Sequence, residues 1–140
     1  MFRDRPVGRH LIAELTGLPD STLHDAIGVM ASLRSVLVDA GFTILKSTTH
    51  SFVERGQGFT GVVLLSESHA AVHTYPEYCY LALDIFGCGE ADPNEALNRF
   101  VEELRPQKVR KQMVVRSPEQ VVEQRSEPMP VFEGKQIHGR

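Results

Sequence analysis

Between Asp20 and Gly41 the apolar residues Leu23, Ile27, Met30, Leu33, Val36 and Leu37 recur at steps of three and four, the spacing of one helix face. Asp20 or Ser21 is placed to cap this helix, because a short side-chain oxygen accepts a free amide hydrogen there. Gly41, which tolerates a left-handed conformation, marks its end. A second stripe of Ala96, Leu97, Phe100, Val101 and Leu104 follows Asp92-Pro93, a capping carboxylate with proline at the first helical position, and stops before Pro106. The rest reads as strands. Gly8–Leu15 is the first, closed by Gly17, Pro19 and Asp20. Phe42–His50, Thr60–Glu67 and Tyr78–Phe86 follow, with Ala70–Thr74 extended after a bend and Glu54–Gly58 forming a turn or loop. The run Val62-Val63-Leu64-Leu65 predicts burial on both faces. Lys108–Arg116 alternates and carries charges suited to an exposed edge. Strands interrupted by two helices predict an α+β two-layer sandwich, an antiparallel sheet with both helices packed on one face.

Composition narrows the class. A chain of 140 residues with 41% hydrophobic and 24% charged residues is one ordinary globular domain. The expected division is a domain over residues 1–117 and a polar, mobile tail over 118–140. No apolar stretch is long enough for a transmembrane helix, and Met1-Phe2-Arg3-Asp4-Arg5 lacks the apolar core of a signal peptide. A net charge of −3 and a pI of about 6.1 offer no footprint for nucleic acid. Two cysteines, Cys79 and Cys88, are too few for a disulfide scaffold, so a cytoplasmic location is expected. A chain this small buries only about two-thirds of its unfolded surface, so a deep site calls for walls from a second subunit.

The informative segment is Leu65–Glu77, where Ser66, Glu67, Ser68, His69, His73, Thr74, Tyr75, Pro76 and Glu77 crowd behind a strand that should be buried. Buried polar groups cost free energy unless paired; the ordinary alternative is a strand end emerging into solvent. His69 and His73, four apart, form a possible metal pair, but no third ligand is evident nearby. Ser68 with His73 and a carboxylate suggests a hydrolase triad, without the Gly-x-Ser-x-Gly elbow.

A third reading rests on resemblance. Glu67-Ser68-His69, His73-Thr74-x-Pro76-Glu77 and Asp84-x-Phe86-x-Cys88-Gly89, in this order, resemble the bacterial and archaeal S-adenosylmethionine decarboxylase proenzymes. The likeness includes Gly8-Arg9-His10-Leu11, Ser47-Thr48-Thr49-His50-Ser51-Phe52 and Asp92-Pro93, and reaches about Arg116. It implies self-cleavage between residues 67 and 68, with Ser68 becoming a pyruvoyl group. The Ser68 hydroxyl would attack the Glu67 carbonyl, turning amide into ester, and a base would remove the Ser68 α-proton. His73 matches the family's processing base, a task an imidazole suits because its pKa lies near neutrality. Thr60 matches a hydroxyl that assists the tetrahedral stage. Cys88 matches the proton donor of decarboxylation, its ordinary alternative being a small buried hydrophobe in a turn. Cys79 lacks such context and reads as structural.

Phe52 resembles the aromatic that stacks on adenine, and Glu77 the carboxylate that holds the ribose hydroxyls. Core packing and a solvated loop acid are their ordinary alternatives. The chain departs from the family's His-x-Phe-x-Pro-x-Gly loop, having His50–Gly58 without the proline and about two residues longer. Gly87 stands where threonine commonly precedes Cys-Gly. Both changes adjoin the inferred substrate pocket, and Glu54 and Arg55 would suit the charged end of a smaller amine. The expected function is pyruvoyl-dependent decarboxylation of S-adenosylmethionine for polyamine synthesis. The alternatives are the same chemistry on arginine or ornithine, or an unprocessed non-catalytic homologue. No metal is required, and neither nucleic acid nor membrane is an expected partner. The resemblance also implies a homodimer of cleaved chain pairs, with sheets side by side and active sites near the subunit boundary.

Overall fold

A computed structural model describes residues 7–54 and 57–122. Six strands, β1 (Gly8–Thr16), β2 (Ile44–Ser51), β3 (Phe59–Leu65), β4 (Ser68–Tyr75), β5 (Tyr80–Cys88) and β6 (Lys108–Arg116), make one sheet in the order β2-β3-β4-β5-β1-β6. Every neighbouring pair is antiparallel. The helices are α1 (Asp20–Leu23), α2 (Ala26–Asp39) and α3 (Pro93–Leu104), and α2 and α3 cover one face of the sheet. This is the α+β sandwich that the periodicities predict, with β6 at an edge as its charges require.

Alternation along each strand sorts the side chains. Leu11, Ala13 and Leu15 of β1, Ala70 and Val72 of β4, and Leu81, Leu83 and Ile85 of β5 are buried under the helices. They meet Met30, Leu33 and Leu37 of α2 and Ala96, Leu97 and Phe100 of α3 in a single core. Gly61 lets the Met30 side chain of α2 lie close against β3: a Cβ there would lie 2.2 Å from the Met30 sulfur, which would have to shift.

Three expectations are corrected. The first helix is not continuous from Asp20: it breaks after Leu23, and α2 starts afresh where the Asp25 carboxylate accepts the Gly28 amide hydrogen at 2.9 Å. A short carboxylate that can bond its own backbone competes with helix continuation, which explains the break. Val62–Leu65 is not buried on both faces. Val63 and Leu65 face the core, but Leu64 is 49% exposed, because helices cover one face only. The polar segment is no strand end entering solvent: after the two-residue turn Ser66–Glu67, β4 runs through the middle of the sheet. Pro118–Gln120 forms a short 3-10 turn, and the rest of the expected tail, from residue 123, lies outside the described residues.

Thr74, 5% exposed, ties the layers together. Its hydroxyl donates to the Leu23 carbonyl and accepts from the Phe59 amide, both at 2.9 Å. Thr74→Val strands both backbone groups, and an unpaired buried polar group costs about 1–3 kcal/mol. Denaturant unfolding is therefore expected to show a loss of that size, larger than for Thr48→Val on the exposed edge strand β2.

Candidate active site

The β3–β4 turn carries the junction at which cleavage is expected. Glu67 sits there with φ at 59°, the left-handed region that costs an L-residue roughly 1–2 kcal/mol. The Ser66 amide, bonded to the Thr43 carbonyl at 3.0 Å, anchors the turn to the segment before β2. Ser68, the first residue of β4, is buried. Cys88 at the end of β5 grips both sides of the junction: its amide donates to Ser68 Oγ and its thiol to the Glu67 carbonyl oxygen, each at 3.0 Å. A donor on that carbonyl is what an attacking hydroxyl needs as negative charge develops. The residues therefore fit the conversion of Ser68 into a carbonyl group.

Thr60 and His73 are register partners on β3 and β4, and Thr60 Oγ1 lies 3.0 Å from His73 Nδ1. They line a cavity of about 770 Å³ that also takes Phe52, Glu54, Tyr75 and Glu77. Phe52 is half-exposed and meets the His50 ring edge-on at 4.7 Å, so it is not a core residue. Glu77 sits in the 3-10 turn Pro76–Tyr78. Gly58 closes the loop tightly on β4, where a Cβ would lie 2.1 Å from the Thr74 carbonyl oxygen. Of the Glu54–Gly58 loop, Arg55 and Gly56 lie outside the described residues.

The predicted site residues thus form two groups, with Glu67, Ser68 and Cys88 at one end of the strands and Thr60, His73, Phe52 and Glu77 at the other. Five residue steps of strand separate Ser68 from His73, roughly 16 Å along β4. That distance removes a Ser68–His73 hydrolase triad within one chain. His69 and His73 share a face of β4 but stand about 13 Å apart, too far to hold one metal. Cys79 is exposed and left-handed at φ 53°, so it is no core cysteine.

Sequence reasoning missed Tyr75 and Tyr80. Their rings stack at 5.4 Å beside the cavity, and the Tyr80 hydroxyl donates to Glu14 Oε1 at 2.5 Å. Their alternation with buried residues on β4 and β5 was the available signal. Burial first, then the hydrogen bond to Glu14 and the charge of that carboxylate, push the Tyr80 phenol up to about 12.

This arrangement, a serine whose hydroxyl and preceding carbonyl are both gripped at a strained turn, is of the class that makes a carbonyl cofactor from its own backbone. The family model for S-adenosylmethionine decarboxylase matches residues 9–117. The S-adenosylmethionine decarboxylase proenzyme of Methanococcus maripaludis (strain C5) is 38% identical over 106 residues, covering 75% of this chain and 85% of that protein. The proenzyme of Thermotoga maritima is 37% identical over 106 residues, covering 75% and 80%. The crystal structure of the adenosylmethionine decarboxylase from Aquifex aeolicus superposes with a TM-score of 0.72 at 28% identity, covering 88% of this chain and 98% of that one. The chain belongs to the S-adenosylmethionine decarboxylase family: it is a pyruvoyl-dependent carboxy-lyase of the kind made as a proenzyme, its cofactor formed from a serine by autocatalytic cleavage. Among the described residues no helix is long and apolar enough to cross a membrane.

The raised Tyr80 phenol has a consequence at high pH. The folded chain holds this proton more tightly than the unfolded one, whose tyrosines titrate near 10. Its contribution to stability is therefore complete below about pH 10 and is lost as pH rises toward about 12. Unfolding measured between those limits is expected to lose stability more steeply for the native chain than for Tyr80→Phe. A tyrosinate absorbance titration should show a late-ionising phenol near pH 12 that is lost in Tyr80→Phe.

Proposed function

We propose that this chain decarboxylates S-adenosylmethionine, after cutting itself between Glu67 and Ser68, and that its active site is completed by a second copy. The observation that carries the reading is the double grip of Cys88 on Ser68 Oγ and the Glu67 carbonyl oxygen. Attack by the hydroxyl joins Ser68 Oγ to the Glu67 carbonyl carbon and breaks the C–N bond, the amine taking the hydroxyl's proton. The Cys88 thiol supports the carbonyl oxygen through the tetrahedral stage. Removal of the Ser68 α-proton then expels the Glu67 carboxylate, and hydration with loss of ammonia leaves the ketone. Once formed, the pyruvoyl group supplies an electron-withdrawing carbonyl for loss of carbon dioxide from a substrate amine. Cys88 remains beside the new N-terminus as a proton donor.

The base for α-proton removal has to come from elsewhere, since His73 of the same chain lies roughly 16 Å away along β4. The face of the sheet opposite the helices supports an answer. It carries His73 and Thr60, and across the same face the half-exposed apolar side chains Ile12, Leu64 and Val114, a surface that a second copy would cover. A two-fold axis near Ala71, midway along β4, brings the Ser68 end of one strand over the His73 end of the other. Stacking face to face therefore unites the two groups of residues, which the expected side-by-side arrangement of sheets does not. The same pairing sets the cavity of one subunit against the Ser68 of its partner. Phe52 would then stack on adenine, Glu77 would accept from the ribose hydroxyls, and the sulfonium would lie near the aromatic wall. The matched relatives described above are named for adenosylmethionine, which favours it over arginine or ornithine. A cytoplasmic location agrees with two free cysteines, and polyamine synthesis is the expected use of the product.

Denaturing mass spectrometry of the purified chain is expected to show two fragments divided between residues 67 and 68, and only the full-length mass for Ser68→Ala. An intact native chain would overturn self-processing. Co-expression tests the pairing: Ser68→Ala and His73→Ala are each expected to stay uncut alone. Mixed dimers should cut the His73→Ala chain, since one composite site regains both groups. Absence of cutting in verified mixed dimers would return the base to the same chain.

A further inference from the structure

On the helix-free face, β1, β4 and β5 bring together three side chains that the self-cleavage and substrate sets do not use. His10 and Asp84 lie diagonally across the β1–β5 ladder, two residues out of register and so on the same face, and His69 comes from β4. His10 Nε2 lies 3.7 Å and His69 Nε2 3.5 Å from Asp84 Oδ1, and the three atoms all lie within 4.8 Å of one another. The two imidazoles meet edge to face at 5.6 Å. His10 Nε2 and Asp84 Oδ1 are buried and find no hydrogen-bond partner. Such separations exceed an N–H···O bond, whose usual length is about 2.9–3.0 Å, and a buried orphan pair of this kind wants an occupant.

The spacing suits one occupant. A tetrahedral zinc ion with ligand bonds of about 2.0–2.1 Å sets its ligands roughly 3.3–3.4 Å apart, close to the separations from Asp84. Two imidazoles and a carboxylate are also one of its three-ligand sets, with the fourth position left open. We propose that His10 Nε2, His69 Nε2 and Asp84 Oδ1 form a binding site for a divalent cation of the zinc class, joining the three central strands beside the Ser68 junction. The three ligands all come from one chain and take no part in the decarboxylation steps, although they lie on the face that the proposed second copy would cover, Asp84 being the register partner of Ala71. Its rival is Arg116, whose guanidinium lies 3.4 Å from His10 Nδ1 and 4.7 Å over the Phe86 ring. A metal on Nε2 leaves the proton on Nδ1, where a guanidinium can no longer donate, so Arg116 at the end of the edge strand turns aside when the cation binds.

The test is a titration of the full-length protein, in a Cys79→Ser background that removes the exposed thiol, with Co2+ and then competing Zn2+. The expected result is one ion per chain, with the intense visible bands of tetrahedral Co2+, and a melting temperature raised by Zn2+. His10→Gln and Asp84→Asn are each expected to lower affinity by at least about tenfold, the loss produced even by outer-shell changes, and to lose the Zn2+-dependent melting shift. Arg116→Met is expected to bind more tightly. No saturable binding, binding that survives both ligand changes, or weaker binding in Arg116→Met would overturn the assignment. Should Asp84→Asn fail to fold, His10→Gln alone carries the test.

Discussion

The register of β4 between β3 and β5 is the constraint on which the rest depends. Side chains alternate faces along a strand, so a slip of one residue would send Ser68, Ala70, Val72 and Thr74 to the open face and His69 and His73 into the core. The core prevents this, because only the first set packs under α2 and α3. Thr74 reinforces it through bonds to α1 and to β3. The pairing of Leu65 with Ser68 leaves two residues for the turn, and Glu67 takes the left-handed conformation there. The geometry of the junction follows from packing elsewhere.

Local signals made most of the elements legible. The stripe from Ala96 to Leu104 with its Asp92-Pro93 cap became α3 as written, and the charged alternation of Lys108–Arg116 became an edge. The break at Asp25 was hidden because Leu23 and Ile27 keep helical spacing across it. Ile27 is 86% exposed, so periodicity alone did not reveal that the chain turns there. The face on which a run lies was equally hidden in Val62–Leu65, since apolar residues on an open face look the same in one dimension as those under a helix.

The candidate residues could be picked out along the sequence, but their geometry could not. Glu67, Ser68 and Cys88 meet as the order of their segments suggests, because β4 and β5 are adjacent strands. His73 belongs to the same short segment as Ser68, yet extended chain carries it to the far end of the sheet. Nearness in sequence is a poor guide to nearness in space within a strand, where each residue adds about 3.3 Å. His10 and Asp84 show the reverse: 74 positions apart in sequence, they become neighbours because β1 inserts beside β5.

That insertion matters for what would become of the chain after the proposed scission between Glu67 and Ser68. The piece ending at Glu67 owns β1, β2 and β3, and the piece beginning at Ser68 owns β4, β5 and β6. In the sheet the two are interleaved, with β4 and β5 lying between β3 and β1, and β6 beyond β1. Three ladders of backbone hydrogen bonds therefore stitch one piece to the other, and neither has a contiguous sheet of its own. Breaking the covalent link releases nothing. It does change the way back from denaturation, since a unimolecular collapse becomes an encounter between two fragments, each lacking the strands that its partner supplies.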